Sequence, residues 1–320
     1  MTARPAPADP AHHDAPVLAV DVGGTKVEAA LVDAAGQVLP GTRVRVPTGP
    51  ASAASANAFS QALAEAVAAV RGHALAAGVR QIGVGAAGPV DLMAGTISPL
   101  NLPAVREFDI VGALRGMSGL EDVRLRLDGT CIALAELWKG AAQGVSNAIV
   151  FVVSTGIGGG VVADGRVVTG ASGNAGHLGQ LIVDRVSGDD VAAATAEGQA
   201  SGRNAVEWAR RQGWPGTSGE ELARDYARGK TLAVRAVERS ASALGRGLAN
   251  VAVLLDTELA IMGGGFSFVT EDYPAMVERA AHAHSVNAYA RKLRVTRAAL
   301  GGDAPLVGAA AQVLREDLLG

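Results

Sequence analysis

One local pattern occurs twice in this chain, and it limits the fold more than any other feature. Residues 17–22 (VLAVDV) form an apolar run broken only by one Asp. A Gly-Gly-Thr corner follows at 23–25, a second apolar stretch covers 26–32, and a turn at 34–36 closes the unit. The same parts return 131 residues later, at 148 against 17: an apolar run over 148–154, a glycine-rich corner over 155–160, another strand, an Asp164-Gly165 turn and a strand at 166–168. Short runs of Val, Ile, Leu and Ala bounded by glycine read as buried strands. Corners this tight join antiparallel neighbours, because a parallel connection needs a long crossover. Two copies of one supersecondary unit imply a duplicated, two-lobed α/β architecture. A length of 320 residues suits two packed lobes better than one core.

The remaining segments fill in that plan. Further strands are expected at 37–39, 42–46, 81–86, 124–127 and 258–262, and helices at 51–77, 128 to about 142, 220–227, 231–255, after 271, and at 306–318. Residues 1–16, rich in Pro and Ala, read as a disordered tail; His12 and His13 there are solvated side chains rather than a metal site. The expected division is 17–127 for the N-terminal lobe, completed by a C-terminal helix within 304–320, and 128–303 for the C-terminal lobe.

Composition removes several function classes. The formal net charge of −3 and the 11 aromatic residues (5 Phe, 3 Trp, 3 Tyr) leave neither a basic surface nor stacking platforms for nucleic acid. No apolar stretch nears the ~20 residues of a membrane helix. A single cysteine, Cys131, excludes an internal disulfide and a multi-cysteine zinc site, and a reducing cytoplasm is the expected compartment.

Three glycine corners are candidate phosphate sites. The first, Asp21-Val22-Gly23-Gly24-Thr25-Lys26, lacks the spacing of a Walker loop and is followed by a strand, unlike a dinucleotide fingerprint. It offers uncovered backbone amides, the Thr25 hydroxyl, the Lys26 ammonium and, in Asp21, a carboxylate for hydrated Mg²⁺. The plainer reading is a type I′ or II′ hairpin turn with an incidental lysine. The second, Ser154-Thr155-Gly156-Ile157-Gly158-Gly159-Gly160, holds more glycine than a turn requires, which implies close approach of something to the backbone; a bulged hairpin is the alternative. The third, Gly263-Gly264-Gly265, follows a buried strand and by itself is an ordinary corner.

Taken with Gly88-Pro89-Val90-Asp91, Asn101-Leu102-Pro103 and Gly173-Asn174-Ala175-Gly176-His177-Leu178-Gly179, these three corners resemble, in order and combination, the motifs of the ROK family of repressors and sugar kinases. The resemblance runs from Val17 onward and implies the two-lobed actin-like ATPase (ribonuclease H-like) sugar kinase fold with an interlobe cleft. It implies a cytoplasmic, glucokinase-like enzyme using ATP and Mg²⁺, with sugar and nucleotide as its partners; a homodimer is compatible with it, and nucleic acid and membrane are not expected. On this likeness Asp128 is the general base. Asp21 organises Mg²⁺; Gly23, Gly24, Thr25, Ser154, Thr155, Gly156 and Gly158 hold phosphates; Gly264 and Gly265 flank the adenosine. Lys26 either adds charge to the phosphates or points to solvent. Gly88, Asn101, Asp128, His177 and Glu197 form the sugar side. Asp128 equally suits a helix N-cap, and both roles can coexist.

The departures from the family pattern lie on the sugar side. Leu127 and Thr130 stand where the family has Asn, His177 where it has Glu, and Gln180 where it has a sugar- and zinc-binding His. The expected cysteine-rich loop after Asp184 is absent, so no structural zinc site is expected. Replacing several sugar ligands while keeping the phosphate corners implies changed specificity, towards an amino-substituted hexose. The alternative is a catalytically impaired sugar-binding regulator of the same family; the DNA-binding repressor branch is disfavoured because the 16-residue tail is too short for a helix-turn-helix domain.

Overall fold

In the computed structural model, residues 15–320 are described; most of the expected tail, including His12 and His13, lies outside them. The chain divides into two units. Unit 1 holds the residues up to Trp138 together with Thr169–Asn174 and Gly302–Gly320; unit 2 holds Lys139–Val168 and Ala175–Gly301.

Unit 1 is built on β1 (Val17–Val22), β2 (Lys26–Val32), β3 (Val44–Pro47), β4 (Gln81–Ala86) and β5 (Asp122–Leu127) in the order β3-β2-β1-β4-β5. β1 runs antiparallel to β2 and parallel to β4, and β4 parallel to β5. The reason β1 is apolar apart from Asp21 is that both faces of the sheet are covered. Leu18, Val20 and Val22 pack with Phe59, Leu63, Val67 and Val70 of the helix Ala56–Arg71. Their neighbours Val17 and Ala19 point the other way, onto Leu306, Ala309, Ala310 and Val313 of the C-terminal helix Ala304–Leu314. Glycine allows that second layer: a Cβ at Gly83 of β4 would run into the Ala309 carbonyl, and one at Gly308 into the Cys131 carbonyl. A small antiparallel sheet (90–91, 96–97, 108–109) extends from the end of β4.

Unit 2 repeats the plan with β6 (Ala148–Val153), β7 (Ile157–Ala163), β8 (Arg166–Val168), β9 (Leu259–Gly263) and β10 (Arg294–Arg297), in the order β8-β7-β6-β9-β10. β6 pairs antiparallel with β7 and parallel with β9, as β1 does with β2 and β4. The internal repeat read from the sequence is therefore a repeat of topology. The core centres on the helix Thr231–Leu255, against which the helix Tyr273–His284 packs so closely at Gly245 that a Cβ there would meet Ala280. Tyr273 is fully buried, its hydroxyl 2.6 Å from Ser240 Oγ.

Three expectations change. The division falls after Trp138 rather than before Asp128, because the helix Asp128–Lys139 leaves β5 without a loop and seats Cys131 against Gly85 and Gly308. The single helix expected at 51–77 is interrupted: Ser55 is extended and its hydroxyl caps a new helix at Ala58 N–H. The strand expected at 37–39 reduces to one bridge between Val32 and Val38.

If Gly308 is required by contact rather than by turn geometry, Gly308→Ala should destabilise the protein by about 1–3 kcal/mol, the usual penalty of overpacking. Gly116→Ala, on a helix where an added Cβ meets nothing within 4 Å, should instead stabilise by about 0.5–1 kcal/mol. Thermal midpoints of the two variants check both signs.

Candidate functional site

The parallel strands β1, β4 and β5 end together, where an open α/β sheet presents its functional groups. Register places Asp21 beside Gly85 and Gly85 beside Arg126, so Asp128 starts its helix at the same end of the sheet. Gly85 clears the space: a Cβ there would lie 2.9 Å from Cys131 Sγ and 3.8 Å from the Asp128 Cα. Asp21 is only 8% exposed. Burial, and then the neighbouring Asp128 charge, push its carboxyl up to about 7, against the pull of Lys26 and Arg45. Burial also raises Asp128, to about 6, although its Oδ1 accepts the Gly129 N–H at 2.7 Å. That bond goes to the adjacent amide rather than to the second or third, so it is not the usual N-cap bond. Cys131 is fully buried beneath the pair, and desolvation pushes its thiol well up.

Around the first corner, neither Gly23 nor Gly24 has positive φ, which removes the type I′ or II′ turn as the reason for glycine. Gly23 N–H donates to the Lys26 carbonyl at 2.9 Å, and a Cβ at Gly24 would stand 2.8 Å from Asn101 Cβ. Gly24 is thus the seat of Asn101, bringing a phosphate-side and a sugar-side candidate into contact. Lys26 is engaged: its Nζ bonds Glu28, a 2% exposed carboxylate that also takes Arg45 at 3.2 Å and Arg43 at 3.5 Å. Burial alone would raise Glu28, but the bonds from Lys26 and Arg45 outweigh it and hold the carboxyl below its usual range. Gly88 precedes a cis bond to Pro89, and the next residue is pinned from the side. Asn174 Oδ1 accepts the Val90 N–H at 2.9 Å while its Nδ2 donates to the Val90 carbonyl at 2.8 Å. Asn174 belongs to the quoted Gly173–Gly179 motif, yet nothing in the sequence marks this two-point clamp.

In unit 2 the glycine excess of the second corner has identifiable causes. What approaches Gly156 is Glu197: its Oε2 would lie 2.6 Å from an added Cβ, and it accepts the Ile157 N–H at 2.7 Å. What approaches Gly159 and Gly160 is Gly176, and Gly179 closes on the Ile157 carbonyl. The corner is therefore a backbone-to-backbone bed for the segment that carries His177. Burial depresses the His177 pKa while the Glu197 charge opposes the shift, so the ring is neutral near pH 7. Glu197, read as a sugar ligand, is anchored on the corner as well.

Ser154, Thr155 and Gly265 line a cavity of about 1010 Å³ together with Arg203, Phe266 and Phe268. Gly265 has nothing within 4 Å of an added Cβ, while Gly264 takes a φ of 86° and abuts the Val153 backbone. Of the third corner, Gly265 opens onto the cavity and Gly264 makes the turn. No cluster of three or more His, Cys, Asp or Glu suited to a metal occurs among the described residues, and no helix there is long and apolar enough to cross a membrane. Asp21 suits a hydrated Mg²⁺ all the same, since that ion takes one or two carboxylates plus phosphate oxygens, and a cation would relieve the desolvated pair.

The family model described as the ROK family matches residues 17–316. An N-acetylmannosamine kinase from Escherichia fergusonii is 32% identical over 277 residues, covering 82% of this chain and 86% of the relative. Among solved structures, a ROK hexokinase from Thermus thermophilus matches with TM-score 0.76 and 33% identity, over 94% of this chain and 99% of that one. A ROK family glucokinase from Streptomyces griseus, in complex with glucose and AMPPNP, matches with TM-score 0.77 and 28% identity over 93% and 98%.

A buried carboxyl with a raised pKa lowers stability once it ionises. The folded state binds more protons than the unfolded one between the ordinary Asp value and about 6, so stability falls as pH rises through that window. In divalent-free buffer Asp128→Asn should therefore be more stable than the natural chain at pH 8, by about 1–3 kcal/mol, and indistinguishable from it near pH 4. Equal midpoints at pH 8 would mean that Asp128 is hydrated.

Proposed function

This chain belongs to the ROK family, and from that premise we propose that it is an ATP-dependent sugar kinase with the two-lobed actin-like fold of its solved relatives, moving the γ-phosphoryl group to the 6-hydroxyl of an amino-hexose. The observation that carries the reading is the Asp21–Asp128 pair, a buried and a half-buried carboxyl at the same end of the sheet, on β1 and just after β5 with β4 between them, both with raised pKa values. A core gains nothing from such a pair, whereas phosphoryl transfer to an alcohol needs one carboxylate to receive a proton and another to organise the metal.

Asp128 accepts the proton of the attacking hydroxyl. Its raised pKa strengthens it as a base yet leaves it mostly ionised at neutral pH, the compromise that general-base catalysis favours. The Gly129 N–H holds one oxygen of the carboxylate and fixes its direction. Asp21 would hold hydrated Mg²⁺, which when bound supplies charge neutralisation to the phosphates. The hydroxyls of Ser154 and Thr155 and the open backbone at Gly265 receive the nucleotide in the large cavity. On the sugar side, Asn101 rests on Gly24, and Asn174 fixes the loop after Gly88.

His177 decides the acceptor class. A neutral imidazole presents one donor and one acceptor where the family pattern has a carboxylate that only accepts. That exchange removes a negative charge and suits an amide substituent, which fits an N-acylated amino-hexose such as the substrate named for the Escherichia relative. A site that pairs with an amide penalises sugars lacking it.

Coupled ADP release should accordingly rank N-acetylmannosamine and other N-acetylhexosamines above glucosamine, mannose and glucose; a preference for glucose would overturn the acceptor assignment. Asp128→Asn should lower kcat by about 10²–10⁴-fold with nucleotide affinity retained. The kcat/KM profile, which reports the free enzyme, should fall about tenfold per pH unit below about 6 as Asp128 takes up a proton. Unchanged turnover in the variant would remove the base.

A further inference from the structure

Phe268 is the one residue of the large cavity whose exposure runs against its chemistry. It ends the short helical turn Gly265–Phe268 and is 64% exposed, while Phe266, two residues earlier, is buried edge-on against Tyr273. The ring is not loose. The Arg297 guanidinium lies over it at 4.4 Å from the centroid. Arg297 is itself fixed by three backbone carbonyls, donating to Ser267 at 2.6 Å, Thr270 at 3.2 Å and Glu271 at 3.0 Å. One face of the ring is thus sealed by a cation that cannot swing away, and the rest of it stays open to the cavity.

A rigid aromatic face at the edge of a cavity that also contains the Ser154 and Thr155 hydroxyls matches a ligand with a planar end and an anionic end. We infer that Phe268 is the platform on which the base of the donor nucleotide lies flat, with Arg297 holding it from behind. The inference rests on the kinase reading above and adds the group that selects the donor. Stacking has no hydrogen-bond code and grows with ring area, so Phe268 favours adenine and guanine over cytosine and uracil. Arg297 strengthens the arrangement by fixing the ring before the base arrives, which lowers the ordering lost on binding.

Calorimetric titration of ATP, GTP, CTP and inorganic tripolyphosphate into the natural chain, Phe268→Ala and Phe268→Trp tests it. Phe268→Ala should weaken ATP and GTP about tenfold and reduce the margin over CTP, while Phe268→Trp stays within about twofold of the natural chain. Tripolyphosphate, which has no base, should bind all three alike, and KM for the sugar should not move. Equal ATP affinity in the natural chain and Phe268→Ala overturns the platform alone. Equal weakening of tripolyphosphate overturns it too, since the loss would then lie in the cavity at large. If the natural chain binds none of the nucleotides, the kinase reading fails and the platform with it.

Discussion

The interaction on which the rest of unit 1 depends is an unfavourable one: Asp21 is withdrawn from water with the half-buried Asp128 close enough for its charge to raise the Asp21 pKa. An isolated buried carboxylate neutralises or is expelled unless the surroundings leave it no alternative. Here the surroundings are stiff. β1 and β4 are buried along almost their whole length, two helical layers cover the sheet, and the helix that begins at Asp128 leaves β5 with no loop to relax. The apolar core thus does more than stabilise. It holds two carboxyls with pKa values that water would level, the condition the proposed proton acceptor needs.

Glycine is the means of that stiffness, and position by position its role differs from the conformational one usually assumed. Gly24 seats Asn101, Gly85 admits the start of the Asp128 helix, Gly83 and Gly308 let the C-terminal helix reach the sheet, and Gly156 receives the Glu197 carboxylate. None of these five has positive φ. They are glycine because another part of the chain occupies the place of a Cβ. The glycine-rich second corner, read from the sequence as room for a ligand, is largely room for the protein's own Glu197 and for the 176–179 segment.

Topology was legible because it follows from binary pattern: six-residue apolar runs, short glycine corners and the repeat at a spacing of 131 residues admit few arrangements. The candidates of the first corner were legible for the same reason, since Asp21 and Gly24 sit at fixed offsets from a strand end. Less could be read wherever a partner is remote in sequence. Nothing near Gly156 announces Glu197, 41 residues on, and nothing near Val90 announces the Asn174 clamp, 84 residues on. Read from the sequence, Lys26 either adds charge to the phosphates or points to solvent; only the sheet shows that Glu28, paired with Asp21 across the strands and buried, takes its ammonium. Phe268 escaped notice because an exposed aromatic is unremarkable until a cavity and a guanidinium are found on it.

These placements explain why chemistry and specificity can change independently in such a protein. Asp128, the proposed proton acceptor, depends on the core of unit 1, since a Cβ at Gly85 or Gly308 would collide with Cys131 in its helix. His177 depends instead on the contact of Gly176 with Gly159 and Gly160 and on Gly179 against Ile157, all in unit 2. That bed fixes the backbone of the segment through glycines on either side of the half-buried His177 and not through its side chain, so a carboxylate can become an imidazole without disturbing that support. Exchanging Asp128 has no such freedom, because its environment tunes that one carboxyl. On the reading proposed above, a sugar side that departs from the family pattern while the base is kept is therefore the expected outcome of the architecture: the acceptor would be read by a side chain mounted on the backbone bed of unit 2, and the proton would be taken by a group whose properties belong to the core of unit 1.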